Sequence, residues 1–411
     1  MTQQEIEQRV DKFLTRGVEN IIPDKGELRK LLLSGKVLNV YLGIDPTATK
    51  IHLGHAFPLR KLQILAELGH KVTFLIGDFT AKIGDTSDKE TERPILTDEQ
   101  IEENFQTYKR QAEKFLDFSK VSVHHNSEWL SKLNFADVLK LTANFSLNDF
   151  ISRELIKKRL TEGKRVSLPE TLYPIMQGYD SYSMDTDIQL GGTDQTFNMQ
   201  AGRTLIKNLK NKESFIVANG FLPGTDGRKM SKTWGNAIWL EDSPEEIYGK
   251  VMSISDDVIL SYFMMGTNAD LEMIEDAKKR LENGENPMNV KKELAKIIVK
   301  ELHNDEAVSL AEEYFRKTVV EKEAGEDAPT YETTERELGV VQDIDGQNSL
   351  ANITVGLGLV GSKSEFKRLF DEGAIYLNEK RIEKNWEKIE ISEGENVIRI
   401  GKRKYLKIVR S

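Results

Sequence analysis

Residues 38–68 read LNVYLGIDPTATKIHLGHAFPLRKLQILAEL, and this stretch decides the fold. The apolar run at 38–44 is typical of a buried strand, and residues 55–68 follow with the apolar spacing of a helix. A strand that leads into a helix predicts a βαβ unit, the building block of a parallel sheet. The motif His52-Leu53-Gly54-His55 then falls near a helix N-terminus, where free backbone N–H groups and a partial positive charge favour phosphate.

The same alternation of strands and helices continues to about residue 240. It predicts an α/β domain with a parallel sheet over residues 1–240. The further strands are predicted at 71–76, 121–125, 187–190 and 214–218, and the further helices at 98–118, 135–145, 149–160 and 193–207.

The rest of the chain divides into three segments of different composition. Residues 241–320 have helical periodicity throughout and predict a small helical domain. Residues 321–348 are rich in acids and poor in large apolar side chains, which favours a flexible linker. Residues 349–411 combine a helical pattern with short strands and predict a compact α+β module. The helices are predicted at 244–252, 256–264, 270–283, 287–303 and 305–317, and the strands at 375–377, 388–391 and 397–400.

Charge is distributed unevenly along the chain. The formal net charge is −9, which argues against indiscriminate nucleic-acid binding. Residues 349–411 carry 13 Lys and Arg against 9 Asp and Glu, a local charge of +4, which leaves −13 on residues 1–348. The basic tail suits salt-dependent contact with phosphates, but an ordinary solvated edge strand is an equally open interpretation.

Composition also limits the chemistry and the setting. The chain has no cysteine, which excludes disulfides, thiolate zinc sites and cysteine nucleophiles. No apolar run approaches the roughly 18 residues of a membrane span, and the first residues lack the basic and apolar regions of a signal peptide. We therefore expect a cytoplasmic protein without a membrane partner.

A second motif, Lys229-Met230-Ser231-Lys232-Thr233, places two lysines three positions apart in a loop. Two ammonium groups there suit the β- and γ-phosphates of a nucleotide, where charge accumulates on a leaving pyrophosphate. Each motif alone also has an ordinary explanation, since histidines can cap a helix and basic loops are common on surfaces. Together the two motifs suggest an ATP site that is held from two sides.

Two more stretches carry polar residues in suggestive positions. Leu190-Gly191-Gly192-Thr193-Asp194-Gln195 lies between a strand and a helix, where glycines permit close approach and an acid can accept from ribose hydroxyls. In Tyr173-Pro174-Ile175-Met176-Gln177-Gly178-Tyr179-Asp180, a helix after Pro174 would place Tyr173, Gln177 and Asp180 on one face. The alternatives are a capped strand-to-helix turn and a polar helix face in water.

Taken together, these motifs resemble those of bacterial tyrosyl-tRNA synthetases, class I enzymes with HIGH and KMSKS signatures. The resemblance covers essentially the whole chain, and it is specific because five segments match in order. It implies a Rossmann-like catalytic domain, a helical anticodon-binding domain at 241–320 and a small RNA-binding module at 349–411. The matching segments are 41–47, 52–55, 173–180, 191–195 and 229–233.

The resemblance also implies a role for each matching residue. The phenolic hydroxyl of the substrate tyrosine would bind to Tyr41 and Asp180, and its ammonium group to Tyr173, Gln177 and Asp85. Residues near the carboxylate, the adenylate and the ribose would be Asp45, Gln195 and Asp194, with Gly54 and Gly192 making room for the nucleotide. Phosphate charge in the transition state would be stabilised by His52, His55, Lys229 and Lys232, together with Lys89 and Arg93.

The implied reaction has two steps. L-Tyrosine attacks the α-phosphorus of ATP to give tyrosyl-adenylate and pyrophosphate, and the tyrosyl group then passes to the 3′ end of tRNA(Tyr). No tightly bound cofactor or metal site in the protein is implied, because Mg²⁺ arrives with ATP. The resemblance further implies a homodimer.

Other classes remain possible at this stage. A small nucleotidylyltransferase also uses an HxGH helix, but such proteins are shorter and lack the lysine motif. A tryptophanyl-tRNA synthetase is the nearest alternative ligase, and the pair Tyr41 and Asp180 favours tyrosine over it. A catalytically silent RNA-binding paralogue is disfavoured because every motif residue is intact.

Overall fold

The computed structural model describes residues 1–85, 96–230, 234–320, 328–340, 349–382, 389–401 and 404–411. The chain divides into two compact units, residues 1–303 and residues 304–411. None of the helices in the described ranges is long and apolar enough to cross a membrane.

The first unit contains a six-stranded sheet in the order β1-β6-β5-β2-β3-β4. The five strands from β2 to β6 pair in parallel, as predicted, while β1 pairs with β6 in the antiparallel sense at one edge. The sequence did not predict β1. The strands are β1 (Val18–Ile22), β2 (Asn39–Ile44), β3 (Lys71–Ile76), β4 (Val121–His125), β5 (Ile188–Gly192) and β6 (Phe215–Asn219).

Helices surround this sheet and complete the first unit. They are α1 (Gln3–Thr15), α2 (Lys25–Leu32), α3 (Leu53–Glu67), α4 (Asp98–Ala112), α5 (Ser127–Leu130), α6 (Phe135–Thr142), α7 (Leu147–Ile151), α8 (Glu154–Thr161), α9 (Leu168–Ser183), α10 (Thr196–Lys210), α11 (Pro244–Met252), α12 (Ile259–Ser261), α13 (Leu271–Glu282) and α14 (Pro287–Leu302).

Three helical predictions need correction. The helix predicted at 149–160 is two helices, α7 and α8, because Arg153 between them has an extended ψ angle of 133°. The helix predicted at 256–264 is a series of short turns, with a 3₁₀ turn at Asp256–Val258 and a π turn at Tyr262–Gly266 around α12. Helix α9 begins at Leu168, six residues before Pro174, so this proline lies inside the helix.

The strand order creates a crevice at the centre of the sheet. From β2 the chain passes through α3 to β3 on one side, whereas β5 lies on the other side of β2. Loops at the carboxyl ends of two such strands diverge, which is where open α/β sheets bind their ligands. Asp45 follows β2 at this edge, and the 3₁₀ turn Thr193–Gln195 follows β5.

Buried cations connect the helical segment after residue 240 to the sheet domain. The guanidinium group of Arg16 donates to the backbone carbonyls of Phe263, Met264 and Thr267. Arg60, in the middle of α3, forms an ion pair with Glu301 at 2.8 Å. Helices α11 to α14 therefore belong to the same compact unit as the sheet, and their role in anticodon binding stays a prediction.

The second unit contains a five-stranded sheet in the order β10-β9-β12-β13-β7 and a two-stranded sheet of β8 and β11. Its core is formed by apolar side chains of α16, α17 and the strands, such as Leu350, Phe366, Phe370, Ile398 and Leu406. The elements are α15 (Asp305–Phe315), a π turn (Arg316–Val320), β7 (Thr330–Thr333), β8 (Glu337–Leu338), α16 (Leu350–Gly356), α17 (Lys363–Asp371), β9 (Ile375–Leu377), β10 (Lys380–Arg381), β11 (Ile389–Glu390), β12 (Gly394–Ile400) and β13 (Lys404–Arg410).

The structure differs from two interpretations of this unit that the sequence suggests. Part of the predicted flexible linker is ordered, because β7 pairs in parallel with β13 and β8 pairs with β11. The basic tail is not an edge strand, because β13 is flanked by β12 on one side and by β7 on the other. The remainder of the predicted linker, 321–327 and 341–348, lies outside the described residues.

Candidate active site

The histidine motif lies at the N-terminus of α3, as the sequence predicts. His52 is the N-cap residue, and its backbone N–H donates to Nδ1 of His55 at 3.3 Å. The two rings lie 3.9 Å apart between centroids. Burial lowers the pKa of His55 to about 4 and that of His52 well below its usual value. Both rings are therefore neutral near pH 7, and His55, which accepts at Nδ1, carries its proton on Nε2.

The lysine motif lies beside the histidines. Backbone hydrogen bonds join the histidine motif to residues 238–240, which follow the lysine motif in the chain, since Leu53 donates to Ile238 and Leu240 donates to Ile51. The charge of Lys229 contributes to the lowered pKa of both histidines, after the larger effect of burial. The structure thus brings His52, His55 and Lys229 together. Lys232 lies outside the described residues.

A side chain at either predicted nucleotide position would come close to a neighbouring side chain. A Cβ atom on Gly54 would lie 3.0 Å from Nδ1 of His52, and one on Gly192 would lie 2.6 Å from Oδ1 of Asp194. The Asp194 carboxylate also accepts from Nζ of Lys229 at 3.3 Å. The stretch at 190–195 is therefore in direct contact with the lysine motif.

A buried carboxylate lies at one end of the crevice. Asp180, on α9, is only 3% exposed. It accepts hydrogen bonds from Nε1 of Trp129 at 2.7 Å and from Nδ2 of Asn126 at 3.3 Å. Burial raises the pKa of Asp180 to about 8, although both hydrogen bonds oppose this rise because they favour the ionised form.

Tyr41, on β2, is buried near Asp180. Its hydroxyl lies 2.9 Å from Oγ of Ser181 and donates to Oε1 of Gln189 at 3.3 Å. Burial raises the pKa of Tyr41, and the charge of Asp180 raises it further, which indicates that the two groups are close. A buried phenol and a nearby buried carboxylate can both form hydrogen bonds to one hydroxyl group.

Asp45 occupies the centre of the crevice. It accepts from the hydroxyl groups of Tyr173 and Thr80, each at 2.8 Å. Asn126 donates to Oγ1 of Thr80 at 2.9 Å and also reaches Asp180. A continuous chain of hydrogen bonds therefore runs from Asp45 to Asp180 and fixes the distance between the two carboxylates.

A second polar group lies at the carboxyl end of β5. Nε2 of Gln195 donates to Asp85 at 2.6 Å, and Oε1 of Gln195 accepts from Asn198 at 3.0 Å. Gln177 is half-buried on α9, between Tyr173 and Asp180. Helix α9 contains Tyr173, Gln177 and Asp180 at the spacing that places them on one helix face, as the sequence predicts. Lys89 and Arg93 lie outside the described residues.

Five polar residues of this site lie outside the sequence motifs: Thr80, Asn126, Trp129, Ser181 and Gln189. Two of them carried a signal, because Thr80 and Asn126 follow the carboxyl ends of β3 and β4, the edge at which α/β sites lie. Within the described ranges, no group of three or more acidic or histidine side chains is arranged to hold a metal ion.

A parallel α/β sheet with an HxGH motif at a helix start and a facing lysine motif is typical of class I aminoacyl-tRNA synthetases. The family model for class I tRNA synthetases (W and Y) matches residues 33–320. The chain belongs to this family.

Relatives match over nearly the full length of both sequences. The tyrosine--tRNA ligase of Carboxydothermus hydrogenoformans is 41% identical over 403 residues, covering 97% of each chain. The tyrosine--tRNA ligase of Thermotoga maritima is 39% identical over 399 residues, covering 97% of this chain and 96% of its own.

Solved structures of similar proteins share the fold. The mitochondrial tyrosyl-tRNA synthetase of Aspergillus nidulans, truncated at its C-terminus, superposes with a TM-score of 0.63 at 22% identity, over 77% of this chain and 96% of its own. The tyrosyl-tRNA synthetase of Archaeoglobus fulgidus, solved in complex with L-tyrosine, superposes with a TM-score of 0.60 at 24% identity, over 74% of this chain and 99% of its own. The predicted Rossmann-like fold is confirmed.

Proposed function

We propose that this chain is a tyrosine--tRNA ligase, which activates L-tyrosine with ATP and transfers the tyrosyl group to the 3′ end of tRNA(Tyr). The near-full-length relatives of that name support the assignment. The observation that carries it within the site is the buried pair of Tyr41 and Asp180, which is suited to a phenolic hydroxyl. Tryptophan has no hydroxyl group for this pair to bind.

The substrate tyrosine would lie along the hydrogen-bond chain between Asp180 and Asp45. Its phenolic hydroxyl would bind to Asp180 and Tyr41, and its ammonium group to Tyr173, Gln177 and Asp85. Its carboxylate would lie near the amide of Gln195. The separation of Asp180 from Asp45 would then select for side-chain length as well as for the hydroxyl group.

ATP would bind over the start of α3 with its ribose at Asp194. The neutral His55 can donate from Nε2 to an α-phosphate oxygen, and His52 lies in ring contact beside it. Lys229 and Lys232 would stabilise the charge of the leaving pyrophosphate. No side chain has to act as a covalent nucleophile, so positioning and charge stabilisation would supply the rate. Mg²⁺ would enter as part of the ATP complex.

Tyrosine-dependent exchange of pyrophosphate into ATP tests this proposal. We expect exchange with tyrosine and far less with tryptophan or phenylalanine. Exchange with tryptophan in place of tyrosine would favour a tryptophanyl-tRNA synthetase. No exchange with any amino acid would favour a catalytically silent RNA-binding paralogue. The measurement needs no tRNA, so it separates the activation step from RNA binding.

A homodimer is part of the same proposal. Its support is a set of exposed apolar side chains on the first unit, which a monomer would leave in water. These side chains are Phe135, Leu139, Leu147 and Leu168. Phe135 and Leu139 lie one turn apart on α6, so they present one apolar face. Sedimentation velocity measures the oligomeric state and so tests this part of the proposal. We further propose that the protein acts in the cytoplasm.

A further inference from the structure

Asn236 is a buried amide next to the lysine motif. It is only 3% exposed. Its Nδ2 donates to Oδ1 of Asp226 at 2.7 Å and to the backbone carbonyl of Lys229 at 3.1 Å. One amide group thus joins the turn before the motif to the backbone of its first lysine.

The surrounding backbone fits closely around this amide. A Cβ atom on Gly224 would lie 2.3 Å from Nδ2 of Asn236, so only glycine leaves room for it. The backbone N–H of Thr225 donates to the carbonyl of Asn236 at 3.0 Å. Asp226 is held in turn by Arg228, which donates through its backbone N–H and its guanidinium group. Asn236 therefore has a fixed place and a fixed orientation.

The Lys229 side chain extends from this fixed backbone into the site. Its Nζ lies 3.3 Å from Oδ2 of Asp194 and 4.8 Å from the centre of the Phe221 ring. A lysine side chain has four rotatable bonds, so the position of its backbone sets which atoms the ammonium group can reach.

We propose that Asn236 is a positioning residue for Lys229 in the activation of tyrosine. This inference rests on the proposed function. Asn236 does not touch the reacting atoms; it fixes the backbone from which Lys229 reaches the phosphates. No isosteric residue replaces it, because aspartate supplies no donor to the Lys229 carbonyl and adds a second negative charge beside Asp226.

A double-mutant cycle with Lys229→Ala tests this inference. We expect Asn236→Ala to lower kcat of tyrosine-dependent pyrophosphate exchange by about 10- to 100-fold, since a displacement of about 1 Å can cost that much. In the Lys229→Ala background the same substitution should cost less than about 3-fold, because the residue it positions is gone. The equilibrium Kd for tyrosine should stay unchanged.

Three further variants complete the test. The control is Asn208→Ala. Asn208 lies in the last turn of α10 and its exposed amide donates to Asn144, so this substitution should leave kcat and Kd unchanged. Asp226→Asn keeps an acceptor oxygen for Asn236, so it should cost less than Asp226→Ala and provides a comparison if Asn236→Ala folds poorly.

Equal fold-losses from Asn236→Ala in the two backgrounds, an unchanged kcat, or equal costs of the two Asp226 variants would overturn the inference. Its failure differs from failure of the proposed function, in which the unmodified protein itself would show no tyrosine-dependent exchange.

Discussion

The indole Nε1 of Trp129, on α5, lies 2.7 Å from Oδ1 of Asp180, on α9, and donates a hydrogen bond to it. This contact favours the ionised carboxylate in a position where burial alone would favour the neutral acid. Asp180 is thus held close to the balance between its ionised and neutral forms. In the proposed function, the substrate hydroxyl would be the third donor to this carboxylate, after Trp129 and Asn126.

Replacing Asp180 by alanine should remove most of the preference for tyrosine over phenylalanine. A hydrogen bond to a charged group contributes about 1.5–3 kcal/mol, so kcat/KM for tyrosine should fall about 10- to 100-fold. Pyrophosphate exchange with each amino acid measures this, and exchange with phenylalanine is the internal control because that substrate lacks the hydroxyl. An unchanged ratio between the two substrates would contradict the assignment of Asp180.

The pH dependence of tyrosine activation should reflect the raised pKa of Asp180. In the proposed function, the ionised form of Asp180 would accept from the phenol, so kcat/KM for tyrosine should rise as the pH passes through about 8. Trp129→Phe removes a donor that stabilises the ionised form, which raises the pKa and should move this rise to higher pH. The same profile with phenylalanine corrects for titration of the substrate ammonium group. If kcat/KM for tyrosine rose at the same pH in Trp129→Phe as in the unmodified protein, the proposed role of Asp180 would be contradicted.

The sequence predicts an element well when the element's own residues determine it, and poorly when it depends on a partner far away in the chain. Strands β2 to β6 are apolar runs between turn residues, and they were predicted within two residues. Strand β1 has polar residues at Glu19 and Asn20, and it exists because β6 offers a partner. The sequence of β7 likewise resembles a linker, because its pairing partners in β13 lie 77 residues further along the chain, as in the pair Thr330 and Lys407.

The site follows the same division. His52, His55 and Lys229 were predicted from short motifs, and the structure brings them together. Trp129, Ser181 and Gln189 belong to no motif, and their contacts to Asp180 and Tyr41 arise only when α5, α9 and β5 pack around β2. The geometry of the crevice was therefore not available from the pattern of residues.

Packing between α9 and α10 should be sensitive to one methyl group. A Cβ atom on Gly178 would lie 3.0 Å from the backbone carbon of Ala201, so Gly178→Ala should destabilise the protein by about 1–3 kcal/mol. Gly356→Ala, at the exposed end of α16, meets no atom within 4 Å and should be neutral or slightly stabilising. The urea midpoints of the two variants measure this difference, and equal midpoints would refute it.

Basic side chains of the second unit should contribute to the aminoacylation of tRNA but not to the activation of tyrosine. Lys367 and Lys380 are exposed on α17 and β10. Reversing both charges, Lys367→Glu with Lys380→Glu, should weaken aminoacylation of tRNA and its dependence on salt, while pyrophosphate exchange is unchanged. Lys25→Glu with Lys30→Glu, at two exposed positions of α2, is the control with the same change of charge. Equal aminoacylation by the double variant and the unmodified protein would exclude this role.

The most direct measurement is kcat/KM for pyrophosphate exchange with tyrosine and with phenylalanine on the unmodified protein. Phenylalanine leaves two buried groups, Asp180 and Tyr41, without the hydroxyl that they would bind. At about 1 kcal/mol or more for each hydrogen bond to the hydroxyl that is lost, the ratio should exceed about 30-fold in favour of tyrosine. A ratio near one, or no exchange with tyrosine at all, would contradict the account.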